Sequence, residues 1–396
     1  MSGSPALELY GTDTLLSAEE RAVRDSVTAW AADHAGPHLR DWFSTGSPPV
    51  RELARELGQL GVLGMHLEGY GCAGAGAVAY GMACFALEAV DSGLRSLMSV
   101  QGSLAMFAIH RFGSTAQKNQ WLPSMATGET IGCFGLTEAE FGSNPAGMRT
   151  RARRDGSDWI LTGSKTWITN GTVAGVAVIW ARTVEDGTDQ GGRVRGFVVP
   201  TDAPGFSARE ITDKLSLRAS VTAELIMDDV RLPAEAVLPE AVGLSGPLSC
   251  LNEARFGIVF GSVGAADDSL EAARRYAADR EVFGKPLGAH QLTQSKLADL
   301  TLDVGNAMLL ALHLGRLKEA GTLRPEQVSL GKLNNVRTAL AVAREARTIL
   351  GANGITLDHS PLRHANNLES VLTYEGTSEI HTLMIGQALT GHSAYS

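Results

Sequence analysis

Apolar residues recur every three to four positions through the first third of the chain. Val23, Val27 and Trp30 share one helical face. Ser17, followed three residues later by Glu20, forms a capping box just ahead of that stripe and predicts a helix start. Gly36-Pro37 is expected to stop this helix. Leu53, Leu57 and Leu60 predict a second helix over Val50 to Leu60, with Gly61 as its stop. Gly69 to Gly76 reads as a loop. The segment from Val78 to Val90 is apolar all round, which predicts a buried helix rather than a surface one. A further helix is expected from Ser96 to His110.

The pattern changes at Ile131. From there to about Leu238 come short β-rich segments: Trp159–Leu161, Val176–Trp180, Gly196–Val199 and Glu224–Met227. Asp155-Gly156 is a hairpin-type turn between two of them. Helical spacing returns after Pro247. Ala266, Leu270, Ala273 and Tyr276 form one stripe, Leu297, Leu300, Val304 and Met308 a second, and Val336, Leu340, Ala343 and Ala346 a third. The predicted architecture is mainly α with an inserted β-domain. An N-terminal helical domain (1–130) leads to a central antiparallel β-domain (131–244) and a C-terminal four-helix bundle (245–396).

Composition narrows the class. A chain of 396 residues that is 44% hydrophobic can build substantial cores, and its length suits two or three domains. With 34 basic against 43 acidic side chains, the net charge of −9 argues against a nucleic-acid partner. Cys72, Cys84, Cys133 and Cys250 lack metal-type spacing and read as free thiols of a reducing compartment. The opening MSGSPALELYGTD has no basic-then-apolar leader pattern. Apolar runs in the middle of the chain, such as Val176 to Ala181, fall far short of the ~20 residues of a membrane span. A soluble, cytoplasmic protein with no membrane partner is expected.

No metal site is expected either. His34 and His38 are four apart, but Gly36-Pro37 lies between them and no Glu does. Gly69 to Gly74 matches G-x-G-x-x-G, yet no β-rich run precedes it, so it reads as a chance match. Three other segments carry candidate chemistry. Phe134-Gly135-Leu136-Thr137-Glu138, continuing to Gly142-Ser143-Asn144, joins a strand end to a loop whose small residues let a ligand approach the backbone; alone it also reads as a β-turn. Lys165-Thr166-Trp167-Ile168-Thr169-Asn170 offers an aromatic ring and a hydroxyl to a planar cofactor, or simply a core Trp. Tyr374-Glu375-Gly376-Thr377 offers a carboxylate that burial would turn into a base near neutral pH, or a solvated Glu in a linker.

Together and in this order, the three segments resemble the acyl-CoA dehydrogenase family, over nearly the whole chain from about Ser17 to Gly391. The resemblance implies an FAD enzyme. Its flavin contacts would be Phe134, Leu136, Thr137, Gly142, Ser143, Trp167, Ile168 and Thr169, completed by Leu350, Gly351, Thr377 and Glu379. Arg280, Phe283 and Gln291 lie in the family-like run Asp279 to Leu287 and just beyond it. In the family such side chains reach the FAD of a neighbouring subunit, which implies a homotetramer.

The chain is most similar to the glutaryl-CoA dehydrogenase branch. Glu88 to Gln101, Cys250 to Gly257 and Arg363 to Glu369 carry that likeness. It implies that Arg95 binds the distal carboxylate of a dicarboxylyl-CoA, with Ser96 and Ser99 adding hydrogen bonds and Glu88 orienting or tuning the Arg, and that Tyr374 is a further substrate contact. Ser143 would contact the substrate, and Arg255 would be a CoA-side or pocket contact, being equally readable as a helical salt-bridge partner. Glu375 would be the catalytic base, and an electron-transfer flavoprotein the acceptor. Departures from the branch pattern occur at Ala139, Asn144, Leu94 and Ser378-Glu379. They leave open a non-decarboxylating dehydrogenase of another acyl chain, carried by CoA or by a carrier protein.

Overall fold

In the computed structural model, which describes residues 4–184 and 192–394, the capping box is formed as expected. The Ser17 hydroxyl accepts from Glu20 N at 3.2 Å, the Glu20 carboxylate accepts from Ser17 N at 2.7 Å, and the Ala18–Trp30 helix follows. Gly36-Pro37 does not stop helical structure. The chain runs through a π turn at Ala31–Ala35 and a 3-10 turn at Gly36–His38 into the Leu39–Thr45 helix. Pro37 falls in the first turn of a new segment, where its missing N–H costs nothing.

Val50–Gln59 is helical, and Gly61 beyond it takes φ 76°, a conformation open to glycine. The 69–76 stretch is not an open loop: Glu68-Gly69 pairs with Cys72-Ala73 in a small hairpin. Every residue from Ala77 to Glu88 is buried in the Ala77–Val90 helix, as its uniform apolarity requires. The helix expected over Ser96 to His110 comes in three pieces: Ser92–Ser99, a π segment at Val100–Met106, and Phe107–Phe112.

Among the described residues, seven strands form one sheet. Val176–Val184, buried at nearly every position, is central to it. It pairs in parallel with Gly132–Gly135 and with Arg151–Asp155, while the other pairings are antiparallel. The central domain is therefore a mixed sheet, which corrects the antiparallel expectation. The Asp155/Asp158 hairpin is local and legible, whereas parallel pairs join distant segments that apolar alternation does not encode.

Among the described residues, the C-terminal third holds five α-helices. Ser245–Asp279, Gln291–Glu319, Pro325–Ile349 and Pro361–Thr373 pack as the four-helix bundle, and Ser378–Thr390 lies against Pro325–Ile349. The Ala77–Val90 helix packs on Ser245–Asp279, so the two helical regions share one core. Gln291–Glu319 is long and apolar enough to cross a membrane by length and composition, beyond the runs read in the sequence. Here it is a bundle helix that buries Leu300, Val304, Met308 and Leu312. Each such side chain contributes roughly 1.5–3 kcal/mol by leaving water. All four cysteines are free thiols, three of them buried.

Candidate active site

A cavity of about 1260 Å³ lies where the sheet meets the bundle. One wall comes from the sheet. Phe134 and Leu136 stand at the end of the Gly132–Gly135 strand, and Thr137, Gly142 and Ser143 continue the wall. This loop is pinned from behind by a buried ion pair. Lys165 Nζ donates to Glu138 Oε1 at 2.8 Å and to the Leu136 carbonyl at 3.1 Å. The Glu138 carboxylate also accepts from Arg149 N at 2.6 Å and Thr150 N at 2.9 Å. Burial works to raise the Glu138 carboxyl, but Lys165 and these donors outweigh it and hold it below the usual carboxylate range. Burial pulls Lys165 down to about 8 against the attraction of Glu138.

Two residues after Lys165 the strand register slips. At this bulge Trp167 takes φ 61° and turns its ring outward, 61% exposed, beside the cavity. Ile168 and Thr169 follow it along the same wall.

The opposite wall is a short loop between Pro361–Thr373 and Ser378–Thr390. Thr377 caps the second helix by accepting from Ile380 N at 3.3 Å. Within the loop Glu375 adopts φ 53°, a left-handed conformation disfavoured for a residue with a Cβ. Three carbonyl contacts fix it there. Arg255 Nε donates to the Glu375 carbonyl at 2.6 Å. Lys332 Nζ donates to the Gly376 carbonyl at 2.7 Å and also to the Tyr374 carbonyl. Glu375 lines the cavity, and its Oε2 is shut from solvent without a hydrogen-bond partner. Burial raises the Glu375 carboxyl above its ordinary value, only partly offset by Arg95, Lys332 and Arg255.

Arg95 sits behind Tyr374, fully buried on the Ser92–Ser99 helix. Asp91 starts that helix by accepting from Gly93 N at 2.8 Å. The same carboxylate accepts from Arg363 Nη1 at 2.7 Å and Asn367 Nδ2 at 2.9 Å, which ties the Arg95 helix to the helix leading into Glu375. Arg95 Nε donates to Glu88 Oε2 at 2.6 Å, and Ser92 Oγ donates to Glu88 Oε1 at 2.8 Å. Arg95 Nη2 donates to the Tyr374 hydroxyl, which also lies 3.3 Å from Ser96 Oγ. Burial opposes the charge on Arg95, but Glu88 and Tyr374 outweigh it and keep the guanidinium protonated. Burial pushes the Tyr374 phenol up to about 12, so its O–H stays available to donate. Arg95 Nη1 is buried with no partner at all.

Comparison with known proteins matches the chain to the acyl-CoA dehydrogenase N-terminal domain over residues 17–129, the middle domain over 133–230 and the C-terminal domain over 242–390. The chain belongs to the acyl-CoA dehydrogenase family. It is 37% identical to the mitochondrial short-chain specific acyl-CoA dehydrogenase of Rattus norvegicus over 336 residues, 84% of this chain and 80% of that one. A glutaryl-CoA dehydrogenase of Mycobacterium smegmatis, solved in complex with FADH2, is 64% identical with TM-score 0.96 over 100% of both chains. A butyryl-CoA dehydrogenase of Megasphaera elsdenii is 29% identical with TM-score 0.89, covering 94% of this chain and 98% of that one.

As a member of this family the protein is an FAD-dependent enzyme acting on acyl-CoA. The cavity fits that cofactor. Phe134, Leu136, Thr137, Gly142, Ser143, Trp167, Ile168, Thr169 and Thr377 all line it. It exceeds the ~300–1,000 Å³ of ordinary ligand pockets, as a dinucleotide plus a thioester requires. A Cβ on Gly142 would meet nothing within 4 Å, so the loop stands open to a ligand. Ser96, Arg255, Tyr374 and Glu375 line the same cavity.

Other expected site residues lie elsewhere. Glu88 and Ser99 are in the interior behind Arg95 and Ser96. Glu379 is exposed in the first turn of its helix, and Leu350 is a core residue. Arg280, Phe283, Gln291 and Gly351 stand exposed away from this cavity, with Phe283 95% exposed. Sequence reading missed Lys332 as a site residue. It is one more cation in an amphipathic helix, and only its burial sets it apart.

Proposed function

We propose that the enzyme oxidatively decarboxylates glutaryl-CoA to crotonyl-CoA and CO2, with Glu375 as the catalytic base. The observation carrying this reading is Arg95: a fully buried guanidinium with one nitrogen unmet, set just behind Ser96 and Tyr374, which line the cavity. An apolar acyl tail would leave that nitrogen unpaired, whereas a distal carboxylate would satisfy it. The 64% identical glutaryl-CoA dehydrogenase supports the same substrate.

In this mechanism Glu375 removes an α-proton from the thioester. Its raised affinity for protons suits it to that task near neutral pH. FAD, when bound, would supply the hydride acceptor for the β-hydrogen. Trp167 and Thr169 hold the flavin side of the cavity, and Arg95 with Tyr374 and Ser96 holds the γ-carboxylate away from the base. The product of this first half is glutaconyl-CoA. Its γ-carboxylate leaves as CO2, the electron pair enters the conjugated dienolate, and protonated Glu375 returns its proton to give crotonyl-CoA. Glu88 cancels the charge of Arg95 in the resting site, so release of the carboxylate as neutral CO2 leaves no uncompensated cation behind.

The wider reading has the protein as a cytoplasmic homotetramer that passes electrons to an electron-transfer flavoprotein. Exposed Arg280, Phe283 and Gln291 would meet the FAD of a neighbouring subunit. Anaerobic incubation of the holoenzyme with glutaryl-CoA, followed by mass analysis, tests the chemistry. Crotonyl-CoA and CO2 are expected. Glutaconyl-CoA alone removes the decarboxylation, and a preference for butyryl- or isovaleryl-CoA removes the substrate claim.

A further inference from the structure

Glu375 carries the proposed chemistry, but its conformation is set by a residue from another helix. Lys332 is 1% exposed and projects from Pro325–Ile349 into the loop between the two last helices. An ammonium taken out of water needs strong acceptors. Lys332 finds two, and both belong to the same three-residue loop: the carbonyls of Tyr374 and Gly376. These are the carbonyls immediately before and after Glu375. The carbonyl between them is held by Arg255. Three consecutive carbonyls are thus fixed by two cations from two bundle helices.

Such bracketing constrains the backbone at Glu375 more tightly than one hydrogen bond can. Holding the peptide planes on either side sets both φ and ψ of the residue between. The left-handed value observed there is one that a residue with a Cβ leaves unless its surroundings over-determine it. Gly376 takes φ 99°, a conformation that favours glycine. A Cβ placed on it would come within 2.8 Å of His381 Nε2. Burial pushes His381 down to about 3, and Lys332 and Arg255 add to this, so His381 is neutral and supplies no third cation.

We propose that Lys332 is a positioning residue for the reaction, aiming the Glu375 carboxylate at the substrate α-carbon by bracketing it through the carbonyls of Tyr374 and Gly376. This inference rests on the reading of Glu375 as the base. Burial pulls Lys332 down to about 7 against the attraction of Glu375, and on the acid side of that value it also acts on the base through its charge. The groups facing Glu375 are Arg95, Lys332, Arg255, Glu88 and its neighbour Tyr374, and those facing Lys332 are Glu375, Arg255, Arg95, Tyr374 and His381. Removing one of three cations that favour the ionised carboxylate makes Glu375 harder to deprotonate.

The test is anaerobic flavin reduction by glutaryl-CoA in K332M, K332Q and K332R holoenzymes across pH. In K332M and K332Q the limiting rate is expected to fall about 100-fold, the cost of a misaimed group, with half-saturation changed by less than about threefold. Their acid limb should move to higher pH. K332R keeps the charge and should leave the limb in place while recovering about tenfold of the lost rate. If Met is refused by the fold, Gln and Arg carry the same contrast. A wild-type rate or an unmoved acid limb in K332Q overturns the role of Lys332 while leaving Glu375 as the base. Failure of the wild-type holoenzyme to reduce with any acyl-CoA overturns the reading of Glu375 and this inference with it.

Discussion

Two buried ion pairs flank the cavity, and they differ in what they leave unfinished. In Lys165–Glu138 the lysine reaches a carboxylate and a carbonyl, and the carboxylate takes two further backbone N–H groups. In Arg95–Glu88 the carboxylate is matched by Arg95 and Ser92, but Arg95 Nη1 is buried with nothing to bond. An unmet charged donor inside a protein is costly, and a folded chain keeps one where a ligand completes it. The first pair is a fastening for a loop. The second, on the proposed function, is half of a binding site.

Losing the proposed base is expected to have the largest effect. Glu375→Gln should cut flavin reduction by about 10³-fold or more while FAD stays bound, seen as a yellow protein that glutaryl-CoA does not bleach. In the wild type, burial raises the Glu375 carboxyl, and the reaction needs it ionised. The rate should therefore rise with pH along an acid limb that lies above the ordinary carboxylate range. A limb near the ordinary glutamate value would show that the carboxylate is hydrated rather than enclosed.

Arg95→Met comes next and bears most directly on the comparison. It removes the unmet donor, so kcat/KM for glutaryl-CoA should fall by about 10²-fold, in line with ~3 kcal/mol for a desolvated charge pair. Butyryl-CoA should lose far less. Equal losses on both substrates would make Arg95–Glu88 another fastening.

Lys165→Met is expected to cost about 3–5 kcal/mol of stability, because Glu138 is left buried without its cation. FAD affinity should drop with it, but the ratio of glutaryl-CoA to butyryl-CoA activity should stay put. The sign of the pH effect follows from Glu138. Its carboxyl is held below the usual range in the fold, so its contribution is present above the unfolded value and lost as pH falls through the folded one. In Lys165→Met the buried carboxyl loses the cation that holds it low, so protonation relieves it, and the stability cost of the substitution should be largest near neutral pH and shrink as pH falls. A shift in substrate ratio would contradict the fastening role.

The smallest predicted effect comes from Gly261. A Cβ there would lie 2.1 Å from Glu88 Oε2 and 3.3 Å from Arg95 Cγ. Gly261→Ala should cost about 1–3 kcal/mol as an overpacked site and displace the Glu88–Arg95 pair. Selectivity for glutaryl-CoA over butyryl-CoA should drop several-fold. Unchanged selectivity would mean the pair absorbs the methyl group without moving Arg95.

Much of the fold was legible because it is written locally. The capping box at Ser17, the all-apolar run that became Ala77–Val90, and the periodic stripes of the bundle each depend on neighbours a few residues apart. The mixed sheet was not legible, since its parallel pairs bring Gly132–Gly135 beside Val176–Val184 across some forty residues. In the cavity, the loops at Phe134, Trp167 and Glu375 stood out by their residue types. Arg95 stood out through family likeness, which also set Glu88 and Ser96 beside it, while its unmet nitrogen gave no sign in the sequence. Lys332 gave no signal, because a lysine in an amphipathic helix is nearly always solvated.

The sequence by itself determined the order of helices, strands and helices, which segments carry reactive side chains, and the family whose order of segments they follow. Tertiary structure alone decided that Glu375 sits in a left-handed turn bracketed by Lys332 and Arg255, that Trp167 turns outward at a bulge, and that one nitrogen of Arg95 goes unmet. The division has a physical cause. Periodicity and capping are properties of one segment and its contact with water. Burial of a charge, and whether its last hydrogen bond is made, depend on atoms that several distant segments bring together, and no single stretch of chain specifies them.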